Sequence, residues 1–139
     1  MVTHKPQRCR DGFQAHYTTA PEIVSYMVST LALEEDDFVW EPCAGEGNLV
    51  DGLLSVQRNV KVRASEIESR SVVILKIKYQ AQSNVEIFEE DALVYGDSPL
   101  FEPPETFNKI IANPPYGAYQ TLERRSQLKK KYPELFCFS

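Results

Sequence analysis

Apolar and polar positions along this chain change period several times, from about 3.6 residues to 2 and back, and each change marks an expected element. From residue 19 the period is helical: Ile23, Met27 and Leu31, with Val24 and Val28, form one apolar stripe. Thr19 and Glu22 have the spacing of a capping box, and Pro21 falls in the first turn, where a missing N–H costs little. Phe38-Val39-Trp40 reads as a strand with Glu41 at its carboxyl end. A helix is expected from about Asn48, a good N-cap, with Leu49, Val50, Leu53 and Leu54 facing the core. Val60, Val62 and Ala64 alternate with polar residues and predict a second strand that ends at Ser65-Glu66-Ile67-Glu68. Ser69 or Ser71 then caps a helix carrying Val72, Val73, Leu75, Ile77 and Tyr79. Val85 to Phe88 predicts a third strand, followed by Glu89-Glu90-Asp91-Ala92. After a Pro/Gly-containing loop from Gly96 to Thr106, Phe107 to Ala112 predicts a fourth. The basic stretch Tyr119 to Lys131 reads as a last helix, stopped by Pro133 and followed by the apolar Leu135-Phe136-Cys137-Phe138. Alternating helices and strands predict an α/β fold: a parallel sheet of about four strands flanked by helices.

Composition narrows the class. With 139 residues, 42% apolar and 25% charged, the chain has the make-up of one soluble globular domain. Residues 1–12 are expected to be a flexible N-terminus, with the domain proper over 13–139. Apolar runs are too short to span a membrane, and the basic start lacks the apolar stretch of a secretory signal. Three widely spaced cysteines, Cys9, Cys43 and Cys137, with no CxxC, argue against a disulfide framework or a zinc site. No metal is expected, and the expected compartment is the reducing cytoplasm. A net charge of −5 counts against strong nucleic-acid binding by the chain as a whole. The cluster Arg124, Arg125, Lys129, Lys130 and Lys131 is either a solvated helix face or a phosphate contact.

The unusual residues fall at predicted strand ends, where ligands bind in open parallel sheets. Glu41-Pro42-Cys43-Ala44-Gly45-Glu46-Gly47 follows the first strand, Glu66 ends the second, Asp91 follows the third, and Asn113-Pro114-Pro115-Tyr116 follows the fourth. Gly45 and Gly47 let the backbone turn tightly beside a ligand, although a bare GxG also serves as a plain turn. The third glycine of a dinucleotide fingerprint is replaced by Val50, which disfavours a pyrophosphate and points to S-adenosylmethionine. Glu66 lies about 20 residues beyond the loop, the spacing of a ribose-binding carboxylate. Asp91 and the Ala92 N–H suit an adenine edge, and Glu41 suits an ammonium. Asn113 offers a side-chain amide, Pro114 and Pro115 offer carbonyls without competing N–H groups, and Tyr116 offers an aromatic face. That set grips and stacks a planar amine-bearing ring.

In order and spacing these segments resemble the N-terminal part of an adenine-N6 DNA methyltransferase of the restriction–modification type. Tyr17-Thr18-Thr19-Ala20-Pro21-Glu22-Ile23-Val24 through Met27-Val28 is similar to motif X of that family. Glu41-Pro42-x-x-Gly45-x-Gly47 is similar to motif I, Glu66-Ile67-Glu68 to motif II, Asp91-Ala92 to motif III, and Asn113-Pro114-Pro115-Tyr116 to the catalytic motif IV. The resemblance implies a partial Rossmann-like methyltransferase fold with strand order 3-2-1-4, and S-adenosylmethionine as cofactor. It also implies that Tyr17, Thr18 and Thr19 contact the methionine carboxylate, Glu41 its amine, Glu66 the ribose, Ile67 the adenine ring, and Asp91 and Ala92 the adenine edge. The implied partner is DNA with a flipped adenine, stacked on Tyr116. The family continues with further strands and a target-recognition domain. The chain is therefore expected to be a fragment, inactive alone and open to self-association through its fourth strand. Glutamine-amide and RNA-adenine methyltransferases share Asn-Pro-Pro-Tyr and are the alternatives, with DNA favoured by the helix placed directly before motif I. A non-catalytic remnant keeping the fold is a further alternative.

Overall fold

The computed structural model describes residues 20–94, 106–115 and 121–136. They fall into two compact units, one ending at Pro114 and one that includes Pro115 and the C-terminal helix. The larger unit begins with α1 (Pro21–Thr30). Its N-cap is Ala20, extended at φ −61° and ψ 143°, without a side-chain cap. A residue before proline is pushed out of the helical region, so Ala20 takes the position expected of Thr19, which itself lies outside the described residues. Val24 and Val28 are buried, whereas Ile23 is 53% exposed, a departure from the predicted stripe.

Strand β1 (Phe38–Glu41) leads through the glycine turn into α2 (Asn48–Val56). Gly47, not Asn48, is the N-cap, because the strand-to-helix turn requires a left-handed residue there (φ 82°). β2 (Lys61–Glu66) precedes α3 (Ser69–Lys78), whose cap is Glu68 rather than either serine. The Glu68 carboxylate accepts from Ser71 N and Ser71 Oγ, both at 2.7 Å. Val73 and Ile77 of α3 are exposed, while Val72, Leu75 and Tyr79 are buried. β3 (Val85–Glu89) runs into a short 3-10 turn (Ala92–Val94). β4 is only Lys109–Ile110 by ladder pairing. The flanking bonds Asn108 N to Phe38 O (3.2 Å) and Ile111 N to Trp40 O (3.0 Å) extend its contact with β1.

The sheet is wholly parallel with order β3-β2-β1-β4, as predicted. Val39, Val62 and Ala64 pack on one face against Val24, Val28, Val50, Leu53, Leu75 and Tyr79. β2 alternates in chemistry but not in burial: Arg63 and Ser65 are buried as well. On the opposite face Trp40 Nε1 donates to Ser65 Oγ (2.9 Å), and Arg63 Nη2 pairs with Glu90 (2.9 Å). β4 is held to the opposite end of the sheet by Lys109. Its Nζ reaches Leu31 O (2.7 Å), Ala32 O (2.8 Å) and Asp37 Oδ2 (3.0 Å), satisfying carbonyls where α1 ends. No helix among the described residues is long and apolar enough to cross a membrane.

In the second unit α4 (Leu122–Lys131) starts at Thr121, whose Oγ1 accepts from Arg124 N at 3.2 Å. A 3-10 turn, Pro133–Phe136, follows it.

Candidate active site

Because the strands are parallel and in register, the segments leaving their carboxyl ends emerge at one rim. Hydrogen bonds then tie neighbouring segments together. Ala44 N donates to Ser65 O (2.9 Å), Glu90 N to Glu66 O (3.0 Å), and Ile111 N to Trp40 O (3.0 Å). The Glu66 carboxylate accepts from three backbone groups: Gly45 N at 2.7 Å on Oε2, and Ile67 N and Glu68 N at 2.8 Å on Oε1. Glu66 therefore fastens the glycine loop to the end of β2. An ionised carboxylate has roughly four acceptor directions, so about one remains for a ligand hydroxyl.

Glu41 sits at the end of β1 with 1% of its surface exposed. Its Oε2 has no hydrogen-bond partner among the described residues. Burial, then the neighbouring charge of Glu66, pushes its carboxyl up to about 8, against a smaller lowering by the Cys43 N–H. A buried, half-satisfied acid is costly. A ligand ammonium brought against it would supply both a donor and the opposite charge. Cys43 beside it is half-buried, with its thiol pushed up to about 11 by burial and by Glu41, Glu66 and Asp91. That is the setting of an unreactive packing residue.

The two glycines do different things. Gly45 has φ 53°, and a Cβ built there meets nothing within 4 Å. Its surface is open to close approach. A Cβ on Gly47 would lie 2.5 Å from Tyr79 Oη and 2.9 Å from Leu75 Cδ2. Tyr79 Oη lies 2.8 Å from both Gly47 O and Asp51 Oδ1, where one hydroxyl proton serves two acceptors. Lys78 Nζ donates to Glu46 O (3.0 Å) and Asp51 Oδ2 (2.6 Å). The last turn of α3 thus braces the glycine loop from behind. Sequence reasoning places Tyr79 only in the core and gives no role to Asp51 or Lys78. Their partners are about 30 residues away in sequence, and no spacing rule signals the contact.

At the third strand end, Asp91 Oδ1 accepts from Leu93 N (3.0 Å) and its carbonyl from Val94 N (2.9 Å), which closes the turn that Ala92 opens. Glu90, an ordinary loop acid by sequence, anchors this segment. Arg63 Nη2 reaches both Glu90 oxygens (2.9 and 3.1 Å), Ser65 Oγ donates to Oε1, and the guanidinium lies 3.3 Å over the Phe88 ring. Ile67 is exposed and Pro42 half-buried. Asn113 is half-buried, and Pro114 and Pro115 are exposed. Tyr17, Thr18, Thr19 and Tyr116 lie outside the described residues. Among the described residues no group of three or more His, Cys, Asp or Glu is placed to hold a metal ion.

No protein-family model matches the chain. It is similar to a probable ribosomal RNA small subunit methyltransferase A of Methanopyrus kandleri, with 35% identity over 110 residues, 79% of this chain and 37% of that protein. The chain spans less than half the length of the curated relatives it matches. Among solved structures it resembles a dimethyladenosine transferase from Plasmodium falciparum, with 27% identity, a TM-score of 0.58, and coverage of 86% of this chain and 38% of that one. It also resembles a modification subunit of a putative type I restriction enzyme from Vibrio vulnificus. There the TM-score is 0.63 at 15% identity, covering 80% of this chain and 26% of that one, which is a likeness of fold alone. The fold is that of the S-adenosylmethionine-dependent methyltransferases, the family whose cofactor is S-adenosylmethionine. The expectation of DNA methylation and restriction–modification, drawn from motif order and the helix before motif I, finds no support here: the relatives by sequence are named for ribosomal RNA, and the restriction-enzyme subunit is alike in fold alone.

Proposed function

We propose that this chain is the cofactor-binding and catalytic part of an enzyme that methylates the exocyclic amine of adenine in RNA. The reading is carried by one juxtaposition: the buried, half-satisfied Glu41 and the open Gly45 share a rim with the segment that ends in Asn113-Pro114. RNA is preferred to DNA because the relatives by sequence carry ribosomal RNA in their names. The residues fit the donor. Glu41 would hold its ammonium, Gly45 would admit it closely, Glu66 would take a ribose hydroxyl, Ile67 would cover the adenine ring, and Asp91 and Ala92 would read its edge. S-adenosylmethionine supplies an electrophilic methyl group on a sulfonium. The amine of adenine is a poor nucleophile because its lone pair is delocalised into the ring. Asn113 Oδ1 and the Pro114 carbonyl would accept its two N–H bonds, favouring a pyramidal nitrogen with its lone pair directed at the donor. Positioning and preorganised acceptors carry most of such a step. A target base must leave its stack, and Tyr116 is proposed to hold it there.

The test is labelled methyl transfer, by the full-length gene product that contains this chain, to matched RNA and DNA oligonucleotides, with the modified nucleoside identified. RNA carrying methyl at the adenine amine is expected. Asn113→Ala should lower transfer by about 10²–10³-fold, the usual loss for one preorganised hydrogen-bonding group, with affinity for S-adenosylmethionine unchanged. Preferential methylation of the DNA strand, or label on any other atom, defeats the proposal.

A further inference from the structure

Helix α4 carries Arg124, Arg125, Lys129, Lys130 and Lys131 against a single acid, Glu123, in a chain whose net charge is −5. Helix physics accounts for part of this. Three lysines in the last turn suit the negative end of the helix dipole. Arg124 and Arg125 do not fit that account, because they sit near the first turn, where cations are disfavoured. Arg125 and Lys129 are four residues apart and repel along one face, which weakens the helix further. Arg125, Lys129 and Lys130 are all exposed, whereas Arg124, Leu128 and Lys131 are half-buried. The helix therefore presents a cationic face at some cost to its own stability.

Among the described residues a polyanion has few other places to bind. Outside α4 the described residues hold more acids than bases, and Glu41, Glu66, Glu90 and Asp91 crowd the rim itself. Five residues separate Pro115 from the cap at Thr121, a link of at most about 20 Å. Pro115 and the helix belong to the same compact unit.

We infer that the exposed face of α4, through Arg125, Lys129 and Lys130, binds the phosphodiester backbone of the RNA substrate. This rests on the RNA-methylation reading and adds where that polymer is gripped.

The experiment measures binding of a labelled single-stranded, adenine-containing RNA by anisotropy across a salt series. The unaltered protein is compared with the triple variant R125Q/K129Q/K130Q and with the charge-keeping K129R/K130R. The triple variant should bind about tenfold or more weakly. Its log K against log salt slope should be shallower by about 2, since each phosphate contact on a single strand contributes roughly 0.7. K129R/K130R should bind as the unaltered protein does. Circular dichroism and S-adenosylmethionine affinity should be the same in all three, which separates loss of charge from loss of fold. An unchanged slope in the triple variant overturns the inference. So does the absence of RNA binding by the unaltered protein, or a charge-dependent affinity for anionic vesicles with none for RNA. Failure of the unaltered protein to bind S-adenosylmethionine would strike the methyltransferase reading instead.

Discussion

Replacing Glu41 with glutamine is expected to stabilise the unliganded protein near and above pH 8 while weakening its hold on S-adenosylmethionine by roughly 30-fold or more, about 2 kcal/mol or more for one partner of a buried charge pair. Folding lifts this carboxyl from 4.5 to about 8. Between those values the folded chain keeps a proton that the unfolded chain has released, so stability falls as pH rises. The slope from this group is roughly 1.4 kcal/mol per pH unit. The contribution is fully present below the unfolded value and gone above the folded one. Glutamine keeps the shape and an acceptor for the Cys43 N–H but has no charge to desolvate, so its variant should lack this slope. Thermal midpoints measured from about pH 5 to about pH 9 should show the two proteins diverging as pH rises. A ligand ammonium draws the carboxyl back down. Affinity for the donor should therefore tighten with pH up to about 8 in the unaltered protein and stay flat in E41Q. Parallel midpoints at every pH would rule this account out.

Alanine at the two loop glycines should separate folding from binding. Gly47→Ala combines a side chain at φ 82° with contacts of 2.5 and 2.9 Å to Tyr79 and Leu75. Left-handed strain costs about 1–3 kcal/mol and overpacking about 1–3 more. The expected loss in a urea titration is about 2–5 kcal/mol. Gly45→Ala meets nothing within 4 Å, so strain alone should cost it about 1–2 kcal/mol. Its methyl nevertheless stands on the open side of the loop, where the donor would approach. Calorimetry should show G45A losing affinity well beyond its small loss of stability. Equal destabilisation of the two variants, or tight donor binding by G45A, would contradict these assignments.

Much of the architecture was legible because a parallel sheet writes its order into the chain as strands separated by helices. Each strand end carried a conspicuous residue: Glu41, Glu66, Asp91, Asn113. Caps were read less well. Asn48 is a good cap by type, but the turn needed a left-handed backbone and Gly47 took it. Glu68 displaced Ser69 and Ser71 because its longer side chain reaches Ser71 N. Exposed Ile23, Val73 and Ile77 obey helical spacing as well as buried residues do, so period alone could not sort them. The supports of the rim were invisible for a different reason. Glu66 meets Gly45, Arg63 meets Glu90, and Tyr79 meets Gly47 across 21, 27 and 32 residues, through contacts that exist only after the strands pair. The proposed preference for RNA over DNA was also out of reach. The helix before the glycine loop lies in a chain of which 79% aligns with a protein named for ribosomal RNA, so its presence does not separate the two polymers.

Trp40 is the chain's single tryptophan. It stacks on Phe107 at 5.3 Å and gives its indole N–H to Ser65, which in turn donates to Glu90, the residue before Asp91. The lone indole is therefore coupled to the entry of β4 on one side and to the third strand end on the other. Its emission should shift to the red when β4 undocks and should change in intensity when the Glu90 segment moves, so both events can be followed in solution without an added dye.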